Sequence, residues 1–188
     1  MKSFDSTLLV FEAASTTTGF VAHEEIASVA GVRILDASQT GDGRFVILAS
    51  GPAESLETGV DAIHAKLDPD SAIVDQEILE KIAPVVLESA FSLLQQRLEE
   101  SLVVVETETV SGCFAVVHAL VTHHGLKPIE LRIRRSSQGA HAYLTGSATA
   151  CGPAAEEART LLKVAMRKGS VEWFEKPSAA LKSRFDFV

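Results

Sequence analysis

A strand–helix–strand pattern that occurs twice is the strongest constraint on this chain. It runs from Leu8 to Ile34 as LLVFEAASTTTGFVAHEEIASVAGVRI and returns from Leu102 to Ile133 as LVVVETETVSGCFAVVHALVTHHGLKPIELRI. Glu12 lies 94 positions before Glu106, and Gly31 lies 94 before Gly125. The chain reads as one module written twice, so any function has to be built from two copies. Half of its 188 residues is still enough to bury a core.

In the first copy, Thr7 to Glu12 is a run of large apolar residues that stops at polar Ser-Thr-Thr-Thr, which predicts a strand. Thr16 to Ala30 carries apolar residues at helical spacing. A threonine caps its start and Gly31 closes its end in the left-handed conformation. Val32 to Ser38 and Arg44 to Ser50 are strands, joined by a glycine-rich turn, Thr40-Gly41-Asp42-Gly43. A helix opened by Pro52 runs to about Leu67, and Ser71 to Asp75 is a short fourth strand.

A long amphipathic helical stretch is expected from about Gln76 to Ser101. It starts, breaks or kinks at Pro84, and Leu87, Phe91, Leu94 and Leu98 form one apolar stripe that covers a sheet edge or joins the halves. The second copy repeats the order. Ser136-Ser137-Gln138-Gly139 is its turn, an insertion at about Ser147 to Gly152 delays its second helix to Pro153, and Val171 to Phe174 is its last strand. Each unit is therefore β-α-β-β-α-β, an α+β layout of ferredoxin-like type with helices on one face of an antiparallel sheet. The domain boundary falls so that residues 1–98 form the first domain with its linking helix, and residues 99–188 form the second.

Composition narrows the function classes. With 17 Lys and Arg against 25 Asp and Glu, formal charge is −8. That opposes a nucleic-acid partner, which needs concentrated positive charge; the cluster Arg132, Arg134 and Arg135 reads as solvated strand ends. No apolar run is long enough to span a membrane. The start MKSFDS lacks the basic region and apolar core of a signal peptide, so the cytoplasm is the expected compartment. Two cysteines, Cys113 and Cys151, fall short of a zinc or iron–sulfur ligand set.

His118, His123, His124 and His141 are the other metal candidates, but their spacing is poor for one helical face. No metal or other cofactor is expected. Catalytic residues are not expected either. The adjacent pairs Glu24-Glu25, Glu99-Glu100 and Glu156-Glu157 point to different sides of a helix. Asp61 and His64 have no nucleophile beside them, and no phosphate loop, dinucleotide fingerprint or nucleophile elbow is present.

The first copy resembles the bacterial microcompartment shell domain. Glu12, Val32, Gly41, Gly43 and Gly51 fall at that family's spacings, and Glu106-Thr107 supplies its Glu-Thr pair in the second copy. The resemblance extends over nearly the whole chain and implies a tandem shell protein. Such a protein is non-enzymatic and assembles as a homotrimer whose six domains make a pseudo-hexagonal tile, alongside other shell proteins.

It further implies that the turn between the second and third strands faces the ring axis. The pore residues would be Gln39, Thr40, Gly41, Asp42 and Gly43 in one copy and Ser136, Ser137, Gln138 and Gly139 in the other. Small polar groups there would contact passing polar metabolites, with Asp42 disfavouring anions and Arg134 and Arg135 favouring them. The competing reading is that both turns are ordinary surface hairpins. Ser15 and Thr109 stand where the family has Gly, and Ser28 and Thr122 stand where it has an edge Lys; the second departure argues against flat tiling. The alternative function is a soluble small-molecule binding or sensor protein on the same duplicated modules. A small enzyme with a site formed only between subunits is a third reading.

Overall fold

A computed structural model describes residues 7–93, 96–133 and 139–185. The chain forms two compact units. The first holds the described residues up to Ile82 together with Thr109–Ser111, and the second holds the other described residues.

The first unit is built on four strands: β1 (Leu8–Ala13), β2 (Arg33–Gln39), β3 (Phe45–Ser50) and β4 (Ile73–Leu79). They pair in the order β2-β3-β1-β4, every neighbour antiparallel. Helices α1 (Thr16–Ser28) and α2 (Ala53–Lys66) pack on one face, and a single turn, α3 (Pro69–Ala72), leads into β4. Leu9, Phe11 and Ala13 alternate toward those helices and meet Phe45, Ile47, Ala22, Ile26, Leu56 and Ile63. Leu8 and Val10 point the other way and are also fully buried, which explains why β1 is an unbroken apolar run instead of an alternating one. Each such side chain contributes about 1.5–3 kcal/mol.

Gly19 lets α1 approach β3 closely, because a Cβ there would overlap the Phe45 side chain. Ser15, not the expected Thr16 or Thr17, caps α1: its hydroxyl accepts from the Thr18 N–H, and the Thr18 hydroxyl accepts from the Ser15 N–H.

The second unit repeats the plan with β5 (Ser101–Thr107), β6 (Lys127–Arg132), β7 (Ala140–Gly146) and β8 (Gly169–Phe174), in the order β6-β7-β5-β8. Its main helices follow, with the short α4 (Pro84–Ala90) preceding them in the chain; they are α5 (Val110–His124) and α6 (Ala148–Val164). The outer sheet face is closed in part by α7 (Ala179–Lys182) and the turn Ser183–Phe185. Phe185 there stacks edge-on to Tyr143, with ring centroids 5.2 Å apart. Gly31 and Gly125, the pair predicted to close the first helices, have φ of +84° and +65°.

Two expectations are corrected. Residues 76–101 are not one amphipathic helix: β4 runs on to Leu79, and the only helix among the described residues there is Pro84–Ala90. The open edge of β1 needs a ladder partner, and pairing Leu8 with Leu79 through Ala13 with Ile73 supplies it. Of the alternatives at Pro84, a start, a break or a kink, the helix takes the first, and Ser92 at φ +55° ends it. Of the predicted stripe, Leu87 is buried, Phe91 and Leu98 are half-buried, and Leu94 lies outside the described residues. The stripe's expected job of covering a sheet edge fits the packing of α4 on edge strand β6.

Nor does α6 wait for Pro153. It starts at Ala148 behind Ser147, whose carbonyl accepts from the Ala150 and Cys151 N–H groups. Pro153 forgoes one ladder bond, while buried Cys151 and Gly152, lying against the Trp173 ring, fix that turn. Cys151 lies within this helix.

Candidate functional site

The predicted pore segment of the first unit is an exposed, tightly bonded hairpin turn. The Thr40 N–H donates to the Arg44 carbonyl at 2.9 Å and the Gly43 N–H to the Thr40 carbonyl at 3.1 Å. Gly43 sits at φ +89°, which glycine adopts without a steric cost. Gln39, Gly41 and Asp42 are exposed, and Thr40 and Gly43 half-buried.

Asp42 is not a bare anion. One carboxylate oxygen accepts from the Thr40 hydroxyl and, at 3.3 Å, from the Arg44 N–H; the other meets Arg44 Nε at 3.1 Å. Sequence reading missed Arg44, although an Asp-x-Arg pair at a hairpin mouth is a visible signal. In the second unit Ser136, Ser137 and Gln138, together with Arg134 and Arg135, lie outside the described residues. Gly139 is buried at φ +83°, where a Cβ would collide with the Thr107 carbonyl.

The most unusual chemistry lies elsewhere in the first unit. Glu12, at the end of β1, is 1% exposed. Its carboxylate accepts from the Ser111 N–H at 2.8 Å and the Ser111 hydroxyl at 2.9 Å, at the start of α5. Beside it, the Thr109 hydroxyl donates to Asp75 at 2.7 Å. Burial raises the Glu12 pKa to about 7 against the pull of the two Ser111 bonds, with nearby Asp75 adding to the rise. The sequence matched Glu12 to Glu106, but nothing in it indicated that Glu12 is buried against Ser111.

The second unit has a cleft of about 280 Å³ on the outer face of its sheet, floored by Leu102, Val104 and Phe174 and walled by Arg132, Tyr143 and Arg184. Arg132 is held by Glu130 at 2.6 Å. Arg132, His141, Glu106 and Ser170 stand on one rung across β6, β7, β5 and β8. Burial, and then Arg132, lowers the His141 pKa.

The helix histidines serve a local purpose. His123 and His124 both pair with Glu157 of α6, at 2.7 and 2.5 Å. Burial works against the Glu157 charge, but the two imidazoles hold its pKa below the ordinary value. Among the described residues no group of three or more His, Cys, Asp or Glu side chains is arranged to hold a metal ion. Cys113 and Cys151 are buried free thiols, and burial pushes Cys151 up to about 11. No helix among the described residues is long and apolar enough to cross a membrane.

No protein-family model matches the sequence, and no curated protein is significantly similar to it. The fold does have a solved counterpart. A microcompartments protein from Desulfitobacterium hafniense DCB superposes with a TM-score of 0.80 at 18% identity, over 94% of this chain and 98% of that one. A putative glycine cleavage system transcriptional repressor (14% identity, 90% of this chain and 98% of that one) reaches a TM-score of only 0.32, too low to carry an argument. By fold, the chain is a tandem pair of microcompartment-type α+β domains.

Proposed function

We propose that the chain is a self-assembling, non-enzymatic shell-type protein of a bacterial microcompartment in the cytoplasm. Three copies close into a pseudo-hexameric ring, in contact with other shell proteins, around a polar central pore for small metabolites. The observation that carries this reading is the superposition over 94% of the chain on a microcompartments protein. It is supported by the identical strand order of the two sheets, which gives a ring of three chains six like units.

Gln39, Thr40, Gly41, Asp42 and Gly43 line the pore from one repeat, and Ser136, Ser137, Gln138 and Gly139 from the other. Selectivity rests on pore radius and on lining dipoles and charges. The internal bonds of the first turn support a lining that keeps its shape as a solute passes, and Arg44 offsets Asp42. Electron microscopy of the purified protein tests the reading. Threefold rings with a central opening are expected, and particles without an opening overturn the pore.

The second reading, a soluble binding protein, is favoured by the cleft at Arg132 and Arg184, whose apolar floor and two guanidinium groups suit a small organic anion. Saturable binding of such an anion by particles that form no ring would decide for it.

A further inference from the structure

Corresponding positions of the two repeats differ in one consistent way. Glu12 is 1% exposed and seated on the start of α5, whereas Glu106, at the same place in the second sheet, is exposed. Among the described residues the Glu106 carboxylate accepts one hydrogen bond, from the Ser170 hydroxyl at 3.3 Å. The two sites match rung for rung: Glu12 stands between Val46 and Asp75, and Glu106 between His141 and Ser170.

The helices differ in the complementary sense. Ser111 and Phe114 of α5 are fully buried, while their counterparts 94 positions earlier, Thr17 and Phe20 of α1, are exposed, Phe20 by 59%. Among the described residues no hydrogen bond engages the Thr17 hydroxyl. Among the described residues this carboxylate-on-helix contact is made once, which leaves one carboxylate and one helix face of the kind that would make it again.

We propose that these two leftovers meet between copies: the Glu106 carboxylate of one chain docks on the start of α1 of a second, accepting from the Thr17 N–H and hydroxyl. Phe20 of that second chain is buried at the same contact; its counterpart Phe114 is buried within the chain. The second copy is the occupant because α1 and α5 are repeats of one element and the observed Glu12–Ser111 pair is a template for the joint. A carboxylate at the first turn of a helix is also favoured by the aligned peptide dipoles and the unpaired N–H groups. Because the two surfaces differ, the contact is head-to-tail and adds chains until it closes on itself. This inference rests on the ring reading and names the residues of its joint.

Glu106→Lys tests it, since Glu106 is an exposed strand residue whose change leaves both cores intact. The concentration at which the oligomer dissociates should rise about tenfold or more for the loss of a charge-assisted contact, with an unchanged circular dichroism spectrum. In parallel, Thr17→Cys combined with Glu106→Cys should give disulfide-linked multimers on oxidation, while the buried native thiols give none. A ring-forming wild type whose Glu106→Lys variant dissociates at the same concentration overturns this joint but leaves the ring standing. Failure of the cysteine pair to cross-link likewise overturns the joint alone. A wild-type dimer that Glu106→Lys splits would uphold the joint and sink the ring.

Discussion

Replacing Glu12 by glutamine should make the stability of the protein far less dependent on pH. In the folded chain the Glu12 pKa stands at about 7 against an ordinary 4.5. At about 1.4 kcal/mol per pH unit, that displacement is worth about 3 kcal/mol. The sign follows from proton binding. Between pH 4.5 and 7 the folded state keeps the Glu12 proton and the unfolded state has lost it, so stability falls as pH rises across this window. Below 4.5 both states are protonated and above 7 both are ionised, so the contribution is flat at either end.

The glutamine amide of the Glu12→Gln variant is neutral throughout, keeps an oxygen that can accept from Ser111, and carries no ionisation cost. Urea unfolding of both proteins at about pH 4.5, 6 and 8 and at one protein concentration gives the difference directly. The variant's stability relative to wild type should climb by about 3 kcal/mol from the lowest pH to the highest. A difference that stays constant with pH would refute the claim that burial dominates at this site. A difference that moves the other way would mean that the Ser111 bonds outweigh burial and hold Glu12 ionised.

Ser111→Ala removes one of the two donors to the buried carboxylate. It should cost about 1–3 kcal/mol at about pH 8 and move the Glu12 titration, followed by carboxyl NMR shifts, to still higher pH. Gly139→Ala forces a Cβ into the Thr107 carbonyl at positive φ, whereas a Cβ at Gly43 meets nothing within 4 Å. Thermal melts should show Gly43→Ala losing only the left-handed backbone cost of about 1–2 kcal/mol, and Gly139→Ala losing more; equal losses would contradict the packing at Gly139. Asp42→Lys breaks a surface pair with Arg44 worth at most about 1 kcal/mol. It should leave the melt nearly unchanged while raising conductance or binding of small anions by the assembled protein, and unchanged anion behaviour removes Asp42 from the pore.

The parts of the fold written in local chemistry were legible in the sequence. Apolar runs at Leu8 and Leu102, helix-closing Gly31 and Gly125, and the Gly41–Gly43 turn each carry their own cause. Long-range pairing did not announce itself. Gln76 to Leu79, the continuation of the predicted strand, alternates too weakly to distinguish strand from helix, and the unpaired edge of β1 decides it. Pro153 is a good helix starter by rule, yet Ser147 and the buried Cys151 turn move the start five residues earlier. The internal spacing told which residues correspond, Glu12 with Glu106, but correspondence is not contact. That Glu12 meets Ser111 while Glu106 stays exposed follows from tertiary packing. The turn was legible to the same degree: its hairpin was foreseen, and the Arg44 pair that offsets Asp42 was not.

The central claim is that three of these chains close a ring. Light scattering coupled to size-exclusion chromatography measures it most directly, by the absolute mass of the purified protein. The account predicts a single species at three times the 20.0 kDa chain mass, unchanged on dilution through the micromolar range. A stable monomer or dimer at those concentrations would contradict it.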